Sequence, residues 1–319
     1  MRNLTIATIL FCAATLSAAP RTFVSAAAGN DINPCSRALP CRSFTAALAL
    51  TDGGGEIVAL DSGGYGAVNI SQSVALISPE GVHAGITAQG TDGISITGGS
   101  LNVVLKNLML SYWYQIGVDT AGIRDTAGGS LNVEGCTITG FASGIYFAPT
   151  LSGARLYVMD SIIQRGYSFT HYGIEIHTPN LAGRAMIDST QFYDAEQPIY
   201  LQNAQATVRD CIATTGEDGY EADFQSGMVV TRSVAKDFAY GFFANNSSTI
   251  VVNRCLATRS SIYGVAAFNS CNAYVSGSSL VDNAQAAFGS ATGAARTRGN
   301  NTVQGNTNNG VFTIGFFTH

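Results

Sequence analysis

Charge is scarce in this sequence: 12% of its 319 residues are Asp, Glu, Lys or Arg, against about a quarter in ordinary soluble domains. No Lys/Arg run occurs and the formal net charge is −5, so no basic stripe is present to neutralise phosphates and nucleic acid is excluded as a partner. Proline is not elevated, whereas glycine, at 36 residues, is. The 46% hydrophobic content is too high for a disordered chain. Beyond the first 18 residues no run resembles a membrane helix. The glycine-rich G-G-G-E and S-G-G-Y-G lack both the Lys-Ser/Thr ending of a phosphate loop and the dinucleotide fingerprint, and neither H-E-x-x-H nor G-x-S-x-G occurs. What remains is the composition of a large, turn-rich, all-β protein.

Residues 1–18 have the layout of a secretory signal: Arg2, an apolar stretch from Leu4 to Leu16, and a cut expected after Leu16-Ser17-Ala18. A cut after Ala19 would leave Pro20 first, and Cys12, preceded by Phe11, does not form a lipoprotein box. The expected location is secreted, periplasmic or cell-surface. Residues 19–54 form a lead-in with a strand at Thr22–Val24 and a capping helix over 43–50, capped by Ser43, with Phe44, Ala47 and Leu48 on its apolar face and Asp52-Gly53 as its stop. Cys35 and Cys41, in a Pro-bounded loop, are the expected disulfide in an oxidising compartment.

Residues 55–319 repeat. Between Thr207 and Asn269 three lines align, each with an apolar strand, a small residue three places on (Cys211, Ser233, Cys255), a polar turn, a glycine (Gly219, Gly241, Gly264) and a second apolar strand. The marker extends as Gly93, Gly117, Gly144, Gly173, Pro198, Gly219, Gly241, Gly264, Ala287 and Gly310, at intervals of 21 to 29 residues, with Gly66 as a candidate earlier member. A second ladder runs Val104, Val133, Val158, Ile187, Val208, Val230, Val252, Val275, followed three residues later by Asn107, Cys136, Ser161, Thr190, Cys211, Ser233, Cys255 and Ser278. Matching periods in the low twenties predict a parallel β-solenoid of about ten rungs, roughly 50 Å long at ~4.8 Å per rung. In that register Cys136 and Cys211 lie three rungs apart and Cys211 and Cys255 two, beyond disulfide reach, so these thiols are read as small packing residues and Cys271 as a free thiol in a turn. The C-terminal V-F-T-I-G-F-F-T-H is read as a last rung or a pairing edge.

Strand alternation turns Ser95, Asp119, Tyr146, Glu175, Tyr200, Glu221, Phe243 and Ala266 outward, with His177, Gln202, Asp223 and Asn245 two residues further along. One continuous face thus combines carboxylates and aromatic rings. Asp119, Glu175, His177, Glu221 and Asp223 are the candidate acid–base groups for a glycosidic bond. Tyr146, Tyr200, Gln202, Phe243 and Asn245 are the candidate sugar-binding groups. No cofactor is required by the sequence, although Asp218, Glu221 and Asp223 carry enough hard oxygens for Ca²⁺. The competing reading is a solvated face with good strand formers. A further outward line of Ile162, Ile212, Val234 and Leu256, broken by Gln191, marks a partner surface or a strip under a covering loop. Arg209, Arg232, Asp210, Arg254 and Arg259 are expected to pair across rungs. Asn245, Asn246 and Asn300 begin N-x-S/T sequons.

The repeat over 55–315 resembles the right-handed parallel β-helix proteins of the pectin-lyase-like superfamily, and N-P-C-S-R-A-L-P-C-R-S-F-T-A-A-L with G-G-E-I-V-A-L-D-S-G-G-Y-G resembles the opening of an exported bacterial group of such proteins. The resemblance implies a right-handed coil, three strands per rung and frequent binding of acidic polysaccharide on one sheet. It carries no catalytic residue over. The Asn-Thr-Asp, Asp-Asp, Gly-His-Gly and Arg-Ile-Lys marks of polygalacturonases and the Trp-x-Asp-His of pectate lyases are absent, the single tryptophan being Trp113. The function expected is an exported β-helix binding a polysaccharide, a cell-surface glycan or another surface partner. The alternatives are a polysaccharide lyase or glycoside hydrolase of unrecognised type on an acidic polysaccharide, and a structural cell-surface component.

Overall fold

The computed structural model describes residues 18–113, 119–164, 171–179 and 183–312, and the backbone of 314–315. The leader at 1–18 falls, but for Ala18, outside the described residues. The chain is a solenoid of three parallel sheets, with 13, 11 and 10 strands among the described residues. A typical rung contributes Ala204–Arg209 to the first sheet, Ile212–Thr214 to the second and Asp218–Asp223 to the third. Each strand pairs in parallel with its equivalent one rung on, as in Val208↔Val230, Ala213↔Ala235 and Tyr220↔Phe242.

Alternation sends every second side chain into the coil, where equivalent residues stack. The first-sheet column Leu131, Leu156, Ala185 and Ala206 lies beside Val133, Val158, Ile187 and Val208, and all are buried. In the third sheet Ile94, Ile123, Ile145, Ile174, Ile199, Tyr220, Phe242 and Val265 form a continuous buried column. Each such side chain contributes about 1.5–3 kcal/mol by leaving water.

The turns explain the polar ladder. Between the first and second sheets one residue takes a left-handed conformation: Asp210 (φ 53), Arg232 (φ 50) and Arg254 (φ 56) hold the same place. There the backbone N–H continues the axial hydrogen bonding, Asp210 donating to Thr231 O at 3.1 Å and Arg232 to Asn253 O at 3.1 Å. The next residue points inward and is small: Cys211 N donates to Ser233 Oγ at 3.2 Å and Cys255 N to Ser278 Oγ at 3.1 Å. From Cys136 to Ser278 the column holds Ser, Thr or Cys, and Cys136, Cys211 and Cys255 are buried and unbridged. Burial pushes the Cys136 and Cys211 thiols up to about 12, so neither is a nucleophile at neutral pH. Cys271 is also free and buried, accepting from Ser248 N at 3.1 Å. A second left-handed column, between the second and third sheets, holds Gly140, Asp194, Thr215, Asp237, Arg259, Asp282 and Gly305.

The marker glycines sit where rungs approach most closely. A Cβ on Gly144 would stand 2.6 Å from Gly173 O, and one on Gly219 would stand 2.3 Å from Gly241 O. This identifies a register error in the sequence ladder. Ile123 pairs with Ile94 and Ile145, so the marker of that rung is Gly122, whose Cβ would lie 2.7 Å from Gly144 O. Gly117 and Val118 lie outside the described residues. Similarly, Val265 pairs with Ala287, which places Ala286 in the marker column. In the first sheet Val133 pairs with Leu105, so Leu105 and Leu108 replace Val104 and Asn107, and Asn107 takes the left-handed turn instead (φ 56).

At the N-terminus Phe44–Ala49 is helical, and Ser43 Oγ accepts from Ala46 N. Phe44, Ala47 and Leu48 are buried, with Phe44 against Tyr65 at 5.1 Å, closing the end of the core. The helix ends at Leu50 rather than at Asp52-Gly53, which already belong to the strand Thr51–Ala59. That strand runs through the expected boundary at 54/55 and pairs with Ala19–Val24, so the lead-in supplies the first strand of the stack. Cys35 and Cys41 are disulfide-bonded, with Cα atoms 4.6 Å apart. At the other end Ile314–Gly315 pairs with Arg296 and Thr297 as a further strand of the first sheet.

Candidate functional site

The outer face of the third sheet gathers most of the expected residues. Its central column runs Ser95, Arg124, Tyr146, Glu175, Tyr200, Glu221, Phe243, Ala266, Phe288. Beside it stand His177, Gln202 and Asp223 in register, with Asn245 following. Asp119 is not in this column. Arg124 takes its place in register between Ser95 and Tyr146, and the Asp119 side chain, 82% exposed, stays at the rim, 3.8 Å from Arg124 Nη2. Arg124 Nε also donates to Asp92 Oδ2 at 2.8 Å, and its guanidinium lies over the Tyr146 ring at 4.6 Å.

Glu175 and His177 form a pair, with His177 Nε2 2.6 Å from Glu175 Oε1, while Ser143 Oγ donates to Glu175 Oε2 at 2.8 Å. The imidazole lies between two tyrosines, 5.6 Å from the Tyr146 ring and 5.7 Å from that of Tyr200. One rung on, Tyr200 donates to Asp223 Oδ2 at 3.1 Å. Asp223 Oδ1 accepts from Asn246 Nδ2 at 2.8 Å and from the Phe224 N–H at 2.9 Å.

Asp218 and Glu221 lie on the same face although three residues apart: both carboxyls meet Gln197 Nε2, while Tyr220 between them is buried in the core. Both are buried. Burial, and then the charge of Asp218, Asp223 and Glu217, raises the Glu221 carboxyl to about 9. Burial also raises Asp218 to about 6, although the Gln197 hydrogen bond opposes it. Glu221 therefore carries its proton at neutral pH. Asp223, in contrast, is enclosed by donors. Among the described residues no group of three or more His, Cys, Asp or Glu side chains is arranged to hold a metal ion. Of the residues expected to offer oxygens to calcium, Asp223 turns to Tyr200 and Asn246, and Asp218 and Glu221 turn to Gln197.

Several residues of this face were not singled out from the sequence. Tyr172, Gln197, Tyr240 and Tyr263 share a column with Asp218, immediately before the marker position. Strict alternation would send that column inward; the contacts of Asp218, Tyr240 and Tyr263 with the outer face show that alternation is interrupted at the marker. The tell-tale signal was the recurrent Tyr-Gly at 172, 240 and 263. These residues extend the face into an aromatic floor: Tyr240 stacks on Phe243 at 5.0 Å, Tyr263 on Phe288 at 4.6 Å, and Phe268 meets Phe243 edge-on at 5.4 Å. Asn245, at the border of this floor, accepts from Asn269 Nδ2 at 2.7 Å.

Elsewhere, the aliphatic line on the second sheet does face outward, with Ile162 and Ile212 exposed. Asp188–Arg209, Asp210–Arg232 and Asp237–Arg259 pair across rungs.

Against known proteins, a family described as the right-handed β-helix region matches residues 172–318. The solved structure of a pectate lyase, Pel9A, superposes with a TM-score of 0.58 at 15% identity, covering 95% of this chain and 80% of its own. The fold is a right-handed parallel β-helix. A GH136 lacto-N-biosidase from Eubacterium ramulus is similar at a TM-score of 0.49 and 9% identity, over 92% of this β-helix and 67% of that chain. No curated protein matches the sequence. At such identities the likeness concerns the coil and not the chemistry on its faces.

Proposed function

We infer that this β-helix is exported through its N-terminal leader and binds a glycan along the outer face of the third sheet. The observation that carries the reading is the Glu175–His177 pair held between the rings of Tyr146 and Tyr200 on consecutive rungs. Aromatic rings offer flat apolar surface to sugar rings, and the carboxylate, imidazole and Gln202 offer hydroxyl partners. Replacing Tyr146 and Tyr200 together with Ala is expected to abolish retention on an immobilised-glycan panel. Retention equal to the unmodified protein would overturn the reading.

A second reading, catalysis as a hydrolase or lyase, is favoured by one contrast. Glu221 holds a proton at neutral pH, as a general acid must, and Glu175 lies two rungs away, about 9.6 Å by stacking, near the upper end of the range for inverting hydrolases. It predicts new reducing ends or unsaturated products from a polysaccharide, lost in Glu221→Gln and Glu175→Gln. Negative results in both tests would leave a structural surface role.

A further inference from the structure

The acid-rich end of this face has a polarity that narrows the ligand. Asp218 is more than nine-tenths buried, and its Oδ1 has no hydrogen-bond partner. Its other oxygen shares the Gln197 amide with Glu221, at 3.0 and 2.7 Å. A buried acceptor without a donor costs about 1–3 kcal/mol, so the site has an unmet demand for a donor, and preferably a positively charged one. The charged groups acting on Glu221 are Asp218, Asp223 and Glu217, all acidic. A shallow groove of about 490 Å³ opens at the preceding turn, where Asp194, Glu196 and Glu217 line it. The groove's arginine, Arg259, is already bound to Asp237. On the opposite side, Tyr240 and Phe243 present stacked rings.

We propose that the Asp218–Glu221 pair binds the protonated amine of an amino sugar, with the sugar rings lying on the Tyr240–Phe243 floor. The inference rests on the glycan reading above and names its substrate class. An ammonium supplies the missing donor to Asp218 Oδ1 and places a positive charge among carboxylates that would repel a uronate. The aromatic floor favours a sugar over a flexible polyamine, since rings give sugar faces contact area and attract the cation at their centre.

The test is calorimetric titration of the full-length mature chain with the β-1,4-linked glucosamine hexamer, its fully N-acetylated counterpart, a galacturonate hexamer and pentalysine. The deacetylated hexamer is expected to bind at least about tenfold more tightly than the N-acetylated one, the worth of one charge-assisted hydrogen bond. In the isosteric double variant Asp218→Asn, Glu221→Gln that preference should fall below about twofold. Should the double variant misfold, Glu217→Gln, on an exposed groove residue, should still reduce the preference about two- to threefold. Equal affinity for the two hexamers, preference for galacturonate, or a preference that survives the substitutions overturns the proposal while leaving glycan binding in place. Pentalysine binding as tightly as the glucosamine hexamer overturns the sugar assignment. Failure of every hexamer to bind overturns the proposal together with the glycan reading.

Discussion

Asp218 and Glu221 are joined through a single amide nitrogen: Gln197 Nε2 stands 3.0 Å from Asp218 Oδ2 and 2.7 Å from Glu221 Oε2. Two acids three residues apart on one strand would normally diverge or face opposite sides. Here alternation is interrupted at Gly219, and the neighbouring rung supplies the donor that both share. The arrangement concentrates a pH-sensitive charge in a coil that otherwise has few charges.

Stability should fall as pH rises. Glu221 is raised from 4.5 to about 9 and Asp218 from 3.8 to about 6, so the folded state holds more protons than the unfolded one between roughly pH 4 and 9. Their favourable contribution is complete below the unfolded values and is lost through pH 6 for Asp218 and pH 9 for Glu221. Urea unfolding at pH 5, 7 and 9 should show a loss on the order of a few kcal/mol, and Glu221→Gln should flatten most of the slope. A variant as pH-dependent as the parent would contradict the assignment.

The inward turn column predicts a polarity rule. Cys211 Sγ donates to Arg209 O at 3.2 Å, and Cys211 N donates to Ser233 Oγ at 3.2 Å. Cys211→Ser retains that pattern and should change stability by less than about 1 kcal/mol. Cys211→Leu must force extra volume into a packed turn and should cost about 1–3 kcal/mol. Intact-mass analysis should find Cys136, Cys211 and Cys255 all alkylatable after unfolding without reduction.

Glycine substitutions test the corrected register. A Cβ at Gly122 meets Ile138 Cγ2 at 2.4 Å and Gly144 O at 2.7 Å, whereas Gly99 has nothing within 4 Å. Gly122→Ala should lower stability by about 1–3 kcal/mol, and Gly99→Ala should leave the melting temperature within a degree or two. Equal effects would remove Gly122 from the close-approach column.

Reduction of Cys35–Cys41 should act locally. The bridge closes a short loop with a separation of 6 residues, so its entropic contribution is about 2 kcal/mol at most. The loop hydrogen-bonds to the first strand through Phe23 N to Cys35 O at 2.8 Å and Cys41 N to Phe23 O at 3.0 Å. Hydrogen exchange should accelerate at Phe23 and in the helix Phe44–Ala49 and remain unchanged beyond Gly173, as expected where each rung contacts only its neighbours.

The architecture was legible because the period constrains it twice, once through inward aliphatics and once through the small residue after each left-handed turn. Where a turn varies in length, the period alone misplaces residues. The spacing from Gly117 puts Asp119 on the face, whereas the strand pairing puts Arg124 on that rung. The sequence ladder starts at Val104, whereas Leu105 is the residue that pairs with Val133. The face itself was half legible. Alternation locates Tyr146, Glu175, Tyr200 and Glu221, yet it does not show that the alternation is interrupted at the marker glycine, so that Asp218 stands beside Glu221 and Tyr172, Tyr240 and Tyr263 join the outer face. Nor does composition reveal which carboxylates are buried without a counter-charge, since that depends on which groups the neighbouring rungs bring close.

The second left-handed column carries one further consequence. Most of its members are Gly or Asp, but Thr215 holds φ 62 with a branched Cβ, a conformation costing roughly 1–2 kcal/mol. Thr215 also lines the acidic groove beside Glu217. One of the coil's strained turns thus borders the surface proposed to take a ligand. Thr215→Asn would relieve that strain, so heat tolerance and ligand entry are adjustable at the same bend.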